Sequence, residues 1–249
     1  MSKQMVIVGA GTMGSMIAAA LQKAGAAGQL TMMRRETSRQ SVDWPSVEVV
    51  WLAVKPQDIK PAVTDLPKLT TQLVISVMAG VSTRTLQQLT GAERIIRCMP
   101  NTPTTIGKGM TVWCATSATT QADKQWFTRI LEQFSKLMEV DSDDWVDKAT
   151  AVSASGPAYV FAFAEALTAA ARDLGFSEEQ ARVLVTQTCV GATALIEQAS
   201  VPVAELRQQV TSKGGTTAAA LNALELSGFD TMWKKAIQAA YDKSKTLSR

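Results

Sequence analysis

The sequence predicts an α/β domain built on a doubly wound sheet, followed by an all-helical domain. Short, non-alternating apolar runs recur through the first half of the 249 residues, a pattern typical of strands that are covered on both faces. A glycine-rich turn follows the first of these runs directly. From about residue 143 the pattern changes to long, alanine-rich helical segments without a convincing strand. We therefore expect one domain over residues 1–142 and a second over residues 143–249.

Apolar runs predict the strands, and one longer segment predicts the helix that closes the first domain. This segment, 120–140, begins with a Thr120/Asp123 capping arrangement and continues with apolar residues at helical spacing. The predicted strands are MVIV (5–8), QLTMM (29–33), VEVVWLAV (47–54), QLVISVM (72–78), RIIRCM (94–99) and GMTVWCA (109–115).

The second half predicts only helices. The first, Ser155 to Leu174, is apolar nearly all round, which is typical of a helix buried by partners on several sides. Gly175 is expected to end this helix, and Ser177 with Gln180 forms a capping box for the next one. The remaining predicted helices run to about residue 200 and then over 203–211, 215–226 and 230–247.

Composition excludes several classes of function. The net charge is only +3 and the basic residues are scattered, so nothing supports nucleic-acid binding. The longest apolar run, 158–171, is interrupted by Glu165 and is too short to span a bilayer, so no membrane partner is expected. The first residues enter a strand-like run without a charged leader and cleavage site, and we therefore expect a cytoplasmic location.

Residues that usually carry metals or acid–base chemistry are scarce. Cys98, Cys114 and Cys189 are widely separated, so we expect buried free thiols rather than a zinc site or a disulfide. Histidine is absent, which removes the commonest general acid and the commonest zinc ligand. No metal site is predicted, and the chemistry must proceed without imidazole.

The glycine-rich turn VGAGTMG lies between the first strand and the helical stretch that follows it. Gly9 allows the tight turn, Gly11 lets the backbone approach a pyrophosphate, and Gly14 lets helix and strand pack closely. The phosphates then lie at a helix N-terminus. This order predicts a Rossmann-type dinucleotide-binding domain. The predicted contacts are Gly9, Gly11, Thr12, Met13 and Gly14.

The residues after the second strand bear on the choice of cofactor. Arg34 and Arg35 stand where an arginine would pair with a 2′-phosphate, which favours NADPH. Glu36 could instead accept a hydrogen bond from the ribose 2′-hydroxyl, so NADH remains an alternative cofactor. The other alternative is that these charged residues form an ordinary solvated loop without a role in binding. Only the 11 residues 36–46 separate Arg35 from the third strand, too few for the usual crossover helix, so we expect a more open adenosine pocket.

Two further segments follow strand ends, where ligands bind in open α/β sheets. AVKP follows the third strand, and CMPNTP (98–103) follows a later one. In the second segment, two prolines stiffen a loop that presents Asn101 to the crevice. For each segment taken alone, the alternative is that its residues only end the strand and bind no ligand. The additional cofactor contacts predicted here are Ala53, Val54, Lys55, Pro56 and Asn101.

Five motifs occur in order along the chain: VGAGTMG, LAVKP, MPNTP, SASGPAY (153–159) and VTSKGGTT (210–217). Together they resemble pyrroline-5-carboxylate reductases, the NAD(P)H-dependent enzymes that complete proline synthesis, over essentially the whole chain. The resemblance implies a nucleotide-binding domain followed by a helical dimerisation domain, with the substrate bound where the two meet. A homodimer or a higher homo-oligomer is therefore expected.

The resemblance also implies that VTSKGGTT binds the substrate carboxylate. The amides freed by Gly214 and Gly215 at a helix N-terminus can point into one concavity that favours negative charge. Alternatively, the two glycines only separate two helices, with Ser212 or Thr216 as N-cap. Thr217 matches the family threonine expected to hydrogen-bond the ring nitrogen, and Tyr159 is a weaker second candidate. The implied substrate contacts are Val210, Ser212, Gly214, Gly215, Thr216 and Thr217.

The missing histidine fits this reaction, because an already protonated cyclic iminium accepts hydride without an acid catalyst. One departure from the family is Lys213, where proline is usual; its cation either strengthens anion binding or points to solvent. Two alternatives stay open: another cyclic imino acid as substrate, and a catalytically silent NADPH sensor. The β-hydroxyacid dehydrogenases, which pair a similar nucleotide domain with helices, resemble a pattern that uses a helix-borne lysine as proton donor, and no lysine lies between Lys148 and Lys213.

Overall fold

A seven-stranded sheet forms the N-terminal part of the protein in the computed structural model, which describes residues 3–37 and 39–247. Its strand order is β2-β1-β3-β4-β5-β6-β7, and every neighbouring pair is parallel except β5 and β6. The strands are β1 Lys3–Val8, β2 Ala27–Met33, β3 Val49–Leu52, β4 Leu73–Ser76, β5 Ile95–Met99, β6 Gly109–Ala115 and β7 Ser135–Glu139.

Helices cover the sheet and make up the rest of the chain, so the predicted fold class is confirmed. In the first half they are α1 Thr12–Lys23, α2 Ile59–Val63, α3 Thr83–Thr90, α4 Gln121–Leu131 and α5 Asp143–Ala149. A π-helical turn, Thr150–Ala154, follows α5. The helices of the second half are α6 Gly156–Asp173, α7 Glu178–Gln198, α8 Val203–Gln209, α9 Thr216–Leu226 and α10 Phe229–Thr246.

The sheet has an apolar layer on each face, as the non-alternating runs predict. Successive residues of β3 divide between the layers: Trp51 packs on one side and Leu52 on the other. On the first side, Trp51 and Trp113 both pack against Phe127 of α4, with ring centroids 6.4 and 5.2 Å apart. Burial on both faces holds the strands in register and fixes where their carboxyl ends lie.

The predicted helix over 120–140 is wrong in its second half. The capping box of Thr120 and Asp123 is present, but α4 ends at Leu131. Residues Ser135–Glu139 instead form β7, which pairs in parallel with β6. A short segment with few apolar residues fits both periods, so backbone pairing with an otherwise open edge strand decides its conformation.

The crossover between β2 and β3 is as short as the sequence predicts. Its described residues form two 3₁₀ turns, Arg39–Ser41 and Trp44–Ser46, and no α-helix. Ser46 donates a hydrogen bond of 2.6 Å to Gln4 of β1, which fastens the second turn to the sheet.

The chain divides into two compact units. One holds the described residues up to Pro157 together with those from Gln238 onward, and the other holds Ala158–Ile237. The predicted domain boundary between residues 142 and 143 stays a prediction.

The helical unit leaves most of its apolar surface exposed within one chain. No residue of α6 is buried, and only Ala181 and Val185 of α7 are. The prediction that the segment 155–174 is buried is therefore wrong for the single chain. Because α6 is apolar nearly all round, we expect surfaces from outside the single chain to cover it. None of the described helices combines the length and the hydropathy that crossing a membrane demands.

Candidate functional site

Three glycines shape the turn between β1 and α1, each for a different reason. Gly9 has φ +109°, and a Cβ there would lie 2.6 Å from the Ala53 carbonyl oxygen. A Cβ on Gly14 would collide with the Gly9 carbonyl oxygen. A Cβ on Gly11, by contrast, would have nothing within 4 Å of it. The first and third glycines therefore allow close packing, while the second keeps a space open.

The N-terminus of α1 faces that space. Gly11 is the N-cap, and no side chain caps the helix. The first backbone N–H groups of a helix have no partners within the helix, so here they are available to an acceptor. The first turn, which includes Thr12 and Met13, carries no acidic residue that would repel an anion. This arrangement fits a pyrophosphate, as the sequence predicts.

A cavity of about 1030 Å³ opens beside this turn, where the strand order changes side, because β2 lies on one side of β1 and β3 on the other. In open α/β sheets this switch point is where dinucleotides bind. The cavity contains predicted contacts from three motifs, which the sequence separates by up to 45 residues: Gly9, Arg34, Arg35 and Val54.

The loop that carries the two arginines is held by its own turn. The Arg34 backbone N–H donates to Thr37 Oγ1 at 2.9 Å, and the Thr37 N–H donates to the Arg34 carbonyl at 3.2 Å. Both arginines are exposed at the cavity. The cavity therefore has a cationic rim on the side where a 2′-phosphate would lie.

The opposite wall of the cavity is not predicted by the sequence. It is formed by the 3₁₀ turn Pro56–Asp58 and by α2, which places Pro61 and Ala62 between the carboxylates of Asp58 and Asp65. An apolar helix face of this kind suits the face of an adenine ring. The only sequence signal is that LAVKP is followed at once by a short helical stretch. Further lining residues are Val8, Ala10, Met33, Glu36, Thr37 and Gln40.

The other predicted cofactor contacts do not line this cavity. The Ala53 N–H pairs with the Val8 carbonyl at 2.8 Å, so Ala53 closes the floor between β1 and β3. Lys55 is exposed, and Pro56 begins the 3₁₀ turn. Asn101 lies after β5, where its amide donates to the Ser153 carbonyl at 3.0 Å and accepts from the Met110 N–H at 2.8 Å. Direct contacts from these residues to a cofactor stay predictions.

In the helical unit, VTSKGGTT forms a turn followed by a helix start. The Gly215 N–H donates to the Ser212 carbonyl at 3.1 Å, and Gly214 has φ +73°. Positive φ at the third position of such a turn is typical of type II, which places Lys213 at the second position. A Cβ on Gly215 would collide with Ser212 Oγ. The backbone therefore requires glycine at 214, whereas at 215 the Ser212 side chain occupies the space of a Cβ.

The N-cap of α9 is Gly215, and no side chain caps the helix. The alternative in which Ser212 or Thr216 is the N-cap is therefore wrong. The first N–H groups of α9 stay available to an acceptor. Thr216 and Thr217 occupy the first turn, Thr217 half-buried and Thr216 exposed, and Val210 lies exposed before the turn. This geometry fits a carboxylate.

Replacing Lys213 with proline is expected to preserve the turn and to raise the free energy of unfolding by about 0.4–1 kcal/mol, because proline suits the second position of a type II turn. Lys213 is exposed, so we expect the KM for an anionic substrate to change less than twofold. Thermal unfolding and steady-state kinetics test both points. A KM increase above fivefold, also seen in Lys213→Ala, would show that the cation binds substrate.

The structure gives the cysteines and Tyr159 surroundings that do not suit acid–base chemistry. Burial raises the pKa of the Cys98 thiol, and burial together with the Asp143 charge raises the pKa of Cys114 to about 12. These two thiols are therefore buried and protonated, as expected, while Cys189 is half-buried. Tyr159 packs edge-on against Trp233, with centroids 5.8 Å apart.

Comparison with known proteins assigns the family. A family model described as pyrroline-5-carboxylate reductase dimerisation matches residues 143–247. The pyrroline-5-carboxylate reductase of Pseudomonas aeruginosa is 35% identical over 230 residues, which cover 91% of this chain and 84% of that protein. The chain belongs to the pyrroline-5-carboxylate reductase family.

The likeness to this family extends to plants and to solved structures. The pyrroline-5-carboxylate reductase of Pisum sativum is 36% identical over 80% of this chain and 74% of its own length. The structure of the Coxiella burnetii enzyme has a TM-score of 0.87 at 32% identity and covers both chains completely. A Plasmodium falciparum pyrroline carboxylate reductase with NADP bound has a TM-score of 0.86 at 29% identity, over 99% of this chain and 98% of that one.

Proposed function

We propose that this protein reduces 1-pyrroline-5-carboxylate to L-proline with NADPH, the last step of proline biosynthesis. The proposal rests on one observation in this member of the family. The open Gly11 position and the uncapped start of α1 lie beside a cavity of about 1030 Å³ with a cationic rim. A family member that had lost cofactor binding would not be expected to keep these features together. A catalytically silent NADPH sensor would also keep these features, so a measurement of activity distinguishes the reductase from the sensor.

The residues of the chain mainly bind and orient the reactants. The uncapped start of α9 would hold the substrate carboxylate, and the Thr217 hydroxyl would accept a hydrogen bond from the protonated ring nitrogen. NADPH, when bound, supplies a hydride to C5 of the iminium, whose C=N electron pair moves to nitrogen. No protein acid is needed, because the iminium carries its proton from water. Orientation is then the main catalytic contribution.

The two arginines of the rim are proposed to favour NADPH over NADH. Removing both side chains, in Arg34→Ala/Arg35→Ala, should raise the Kd of NADPH about 10- to 100-fold, since a charge-assisted hydrogen bond contributes about 1.5–3 kcal/mol. The Kd of NADH should change less than threefold. Fluorescence titration with both nucleotides measures this, with Lys60→Ala, an exposed α2 residue outside the cavity lining, as control. Equal losses for both nucleotides would refute 2′-phosphate recognition.

A homodimer is proposed to cover the helical unit. The supporting observation is the row of exposed large apolar side chains on its two longest helices, such as Phe161 and Phe163 on α6 and Leu195 on α7. A patch of this kind on a lone chain would favour association. A cytoplasmic location stays a prediction.

The experiment that tests the proposed activity follows absorbance at 340 nm with NADPH or NADH, with and without pyrroline-5-carboxylate. Oxidation that depends on the imine supports the reductase. Nucleotide binding without oxidation would favour the silent sensor, and oxidation only with the six-membered piperideine-2-carboxylate would favour a different imino acid.

A further inference from the structure

A fully buried cation lies in the middle of β5. The Arg97 side chain is 0% exposed, and it forms ion pairs with Asp143 at 3.0 Å and with Asp147, both on α5. It also donates to the Asp143 carbonyl at 3.1 Å. Burial alone would lower the pKa of Arg97, but the hydrogen bonds and charges of Asp147 and Asp143 outweigh it and raise the pKa. The guanidinium therefore stays charged.

The two carboxylates extend this cluster to two other segments. Asp143 accepts hydrogen bonds from the backbone N–H and the hydroxyl of Thr83, at 3.1 and 2.8 Å, at the start of α3. Asp147 accepts one from the buried Ser244 hydroxyl at 2.9 Å, near the end of α10. One guanidinium thus ties together β5, α5, the segment after β4 and the last turn of α10.

The end of α10 also packs against the loop 77–82 that follows β4. In this loop Gly80 has φ +72°, and a Cβ there would lie 2.6 Å from the Ser244 carbonyl oxygen and 2.8 Å from Leu247 Cβ. No larger residue fits without displacing the helix end. The position of loop 77–82 is therefore set by the cluster on one side and by Ser244 on the other.

Stability alone is a weak reason for such a cluster. Removing ionic groups from water is costly, and well-packed apolar residues often replace a buried ion pair without loss of stability. Arg97 Nε is moreover buried without a hydrogen-bond partner among the described residues. What the cluster does supply is a fixed distance between segments, because a guanidinium fork binds two carboxylates in one geometry.

The location of the cluster indicates which half of a bound dinucleotide it would affect. The cavity with the arginine rim lies over β1, β2 and β3, which is the adenosine half. A dinucleotide bound across the switch point extends its other half over the strands on the opposite side, here β4 and β5. The loop after β4 is the one that the Arg97 cluster holds, through Thr83 at its end and through Ser244, whose carbonyl lies against Gly80.

We propose that Arg97 is a positioning residue for hydride transfer, which fixes, through Asp143 and Asp147, the loop after β4 against which the nicotinamide ring is held. The proposal rests on the proposed reductase function. It assigns to Arg97 no contact with substrate or cofactor.

The test compares two arginines of the same strand region. Arg97→Lys keeps the charge, but one ammonium cannot bridge two carboxylates as the fork does. Arg94→Lys is the matched control. Arg94 lies at the amino end of β5, away from the carboxyl ends of the strands, and its Nη1 donates to both oxygens of Asp123 at 3.1 and 3.0 Å. Both substitutions weaken an arginine–aspartate pair, but only the first lies near the proposed nicotinamide side.

Four quantities are measured for each variant: the melting temperature, the NADPH Kd, the fluorescence anisotropy of bound reduced nicotinamide, and kcat with NADPH or NADPH doubly deuterated at C4. For Arg97→Lys we expect a Kd within twofold of the unsubstituted protein, a clear loss of anisotropy, a kcat at least tenfold lower and a larger isotope effect on kcat. For Arg94→Lys we expect only the melting temperature to fall.

An Arg97→Lys protein with a lower melting temperature but unchanged anisotropy, kcat and isotope effect would overturn the proposal, since the cluster would then be structural only. Equal kinetic losses in Arg94→Lys would overturn it too.

If the unsubstituted protein oxidises no NADPH with pyrroline-5-carboxylate, the reductase proposal fails, and the anisotropy of the two variants still decides the role of Arg97. Should Arg97→Lys not fold, Ser244→Ala removes one hydrogen bond to Asp147. The kcat should then fall about two- to fivefold with a loss of anisotropy, and no change in either would overturn the proposal.

Discussion

Replacing Gly11 with valine is expected to abolish NADPH binding while the protein still folds. The position is open and has extended backbone angles, φ −75° and ψ −171°, which valine adopts readily. The isopropyl group would then occupy the space that a pyrophosphate needs at the start of α1. We expect the Kd of NADPH to rise at least 100-fold, which corresponds to about 2.7 kcal/mol. Calorimetric titration measures the affinity, and thermal unfolding checks the fold.

Two other variants calibrate this result. Gly11→Ala should weaken binding less than Gly11→Val, because its side chain is smaller. Gly14→Val should fail to fold, since its Cβ would collide with the Gly9 carbonyl oxygen. If Gly11→Val binds NADPH with an unchanged Kd, the phosphates do not lie at this turn and the proposed cofactor site is wrong.

Replacing Thr217 with valine should lower kcat by about 100-fold and leave the NADPH Kd within twofold. Valine keeps the shape of threonine but lacks the hydroxyl proposed to orient the ring nitrogen, and a hydrogen bond to a charged group contributes about 1.5–3 kcal/mol. The N-cap of α9 is Gly215, so the substitution removes no side-chain cap. Steady-state kinetics and nucleotide titration separate the two effects.

Ser227→Ala is the control for this substitution, because Ser227 lies at the other end of α9, where it donates only to the Ala223 carbonyl. It should change kcat less than twofold. An unchanged kcat in Thr217→Val would remove Thr217 from the mechanism. A fall in NADPH affinity instead would place Thr217 beside the cofactor rather than the substrate.

The sheet was largely predictable because its strands are buried on both faces. Runs such as VEVVWLAV and QLVISVM contain the four-residue strands Val49–Leu52 and Leu73–Ser76, whose residues are all buried. β7 was not predictable, because only Ser135 of its five residues is buried and its conformation depends on pairing with β6. The exposure of α6 within the single chain was not predictable for a related reason. An apolar pattern shows that a surface needs covering but does not show which chain covers it.

The candidate site was predictable where local backbone geometry demands particular residues. Gly9 and Gly14 stand where the structure requires glycine, and sequence spacing identified them, while Gly214, which has a positive φ, was identified through the family resemblance. The wall formed by α2 was not predictable, because Pro61 and Ala62 are ordinary residues that reach the cavity only through the fold. The Ser153 partner of Asn101 and the Asp147 partner of Arg97 were likewise hidden, since each lies about 50 residues away in the sequence.

The most direct test of the central claim is to identify the product formed from pyrroline-5-carboxylate and NADPH doubly deuterated at C4 of the nicotinamide. We expect L-proline carrying one deuterium at C5, detected by chiral chromatography with mass spectrometry and located by NMR. This result would show hydride transfer to the imine carbon. Proline without deuterium at C5, or no proline although NADPH binds, would contradict the reductase assignment.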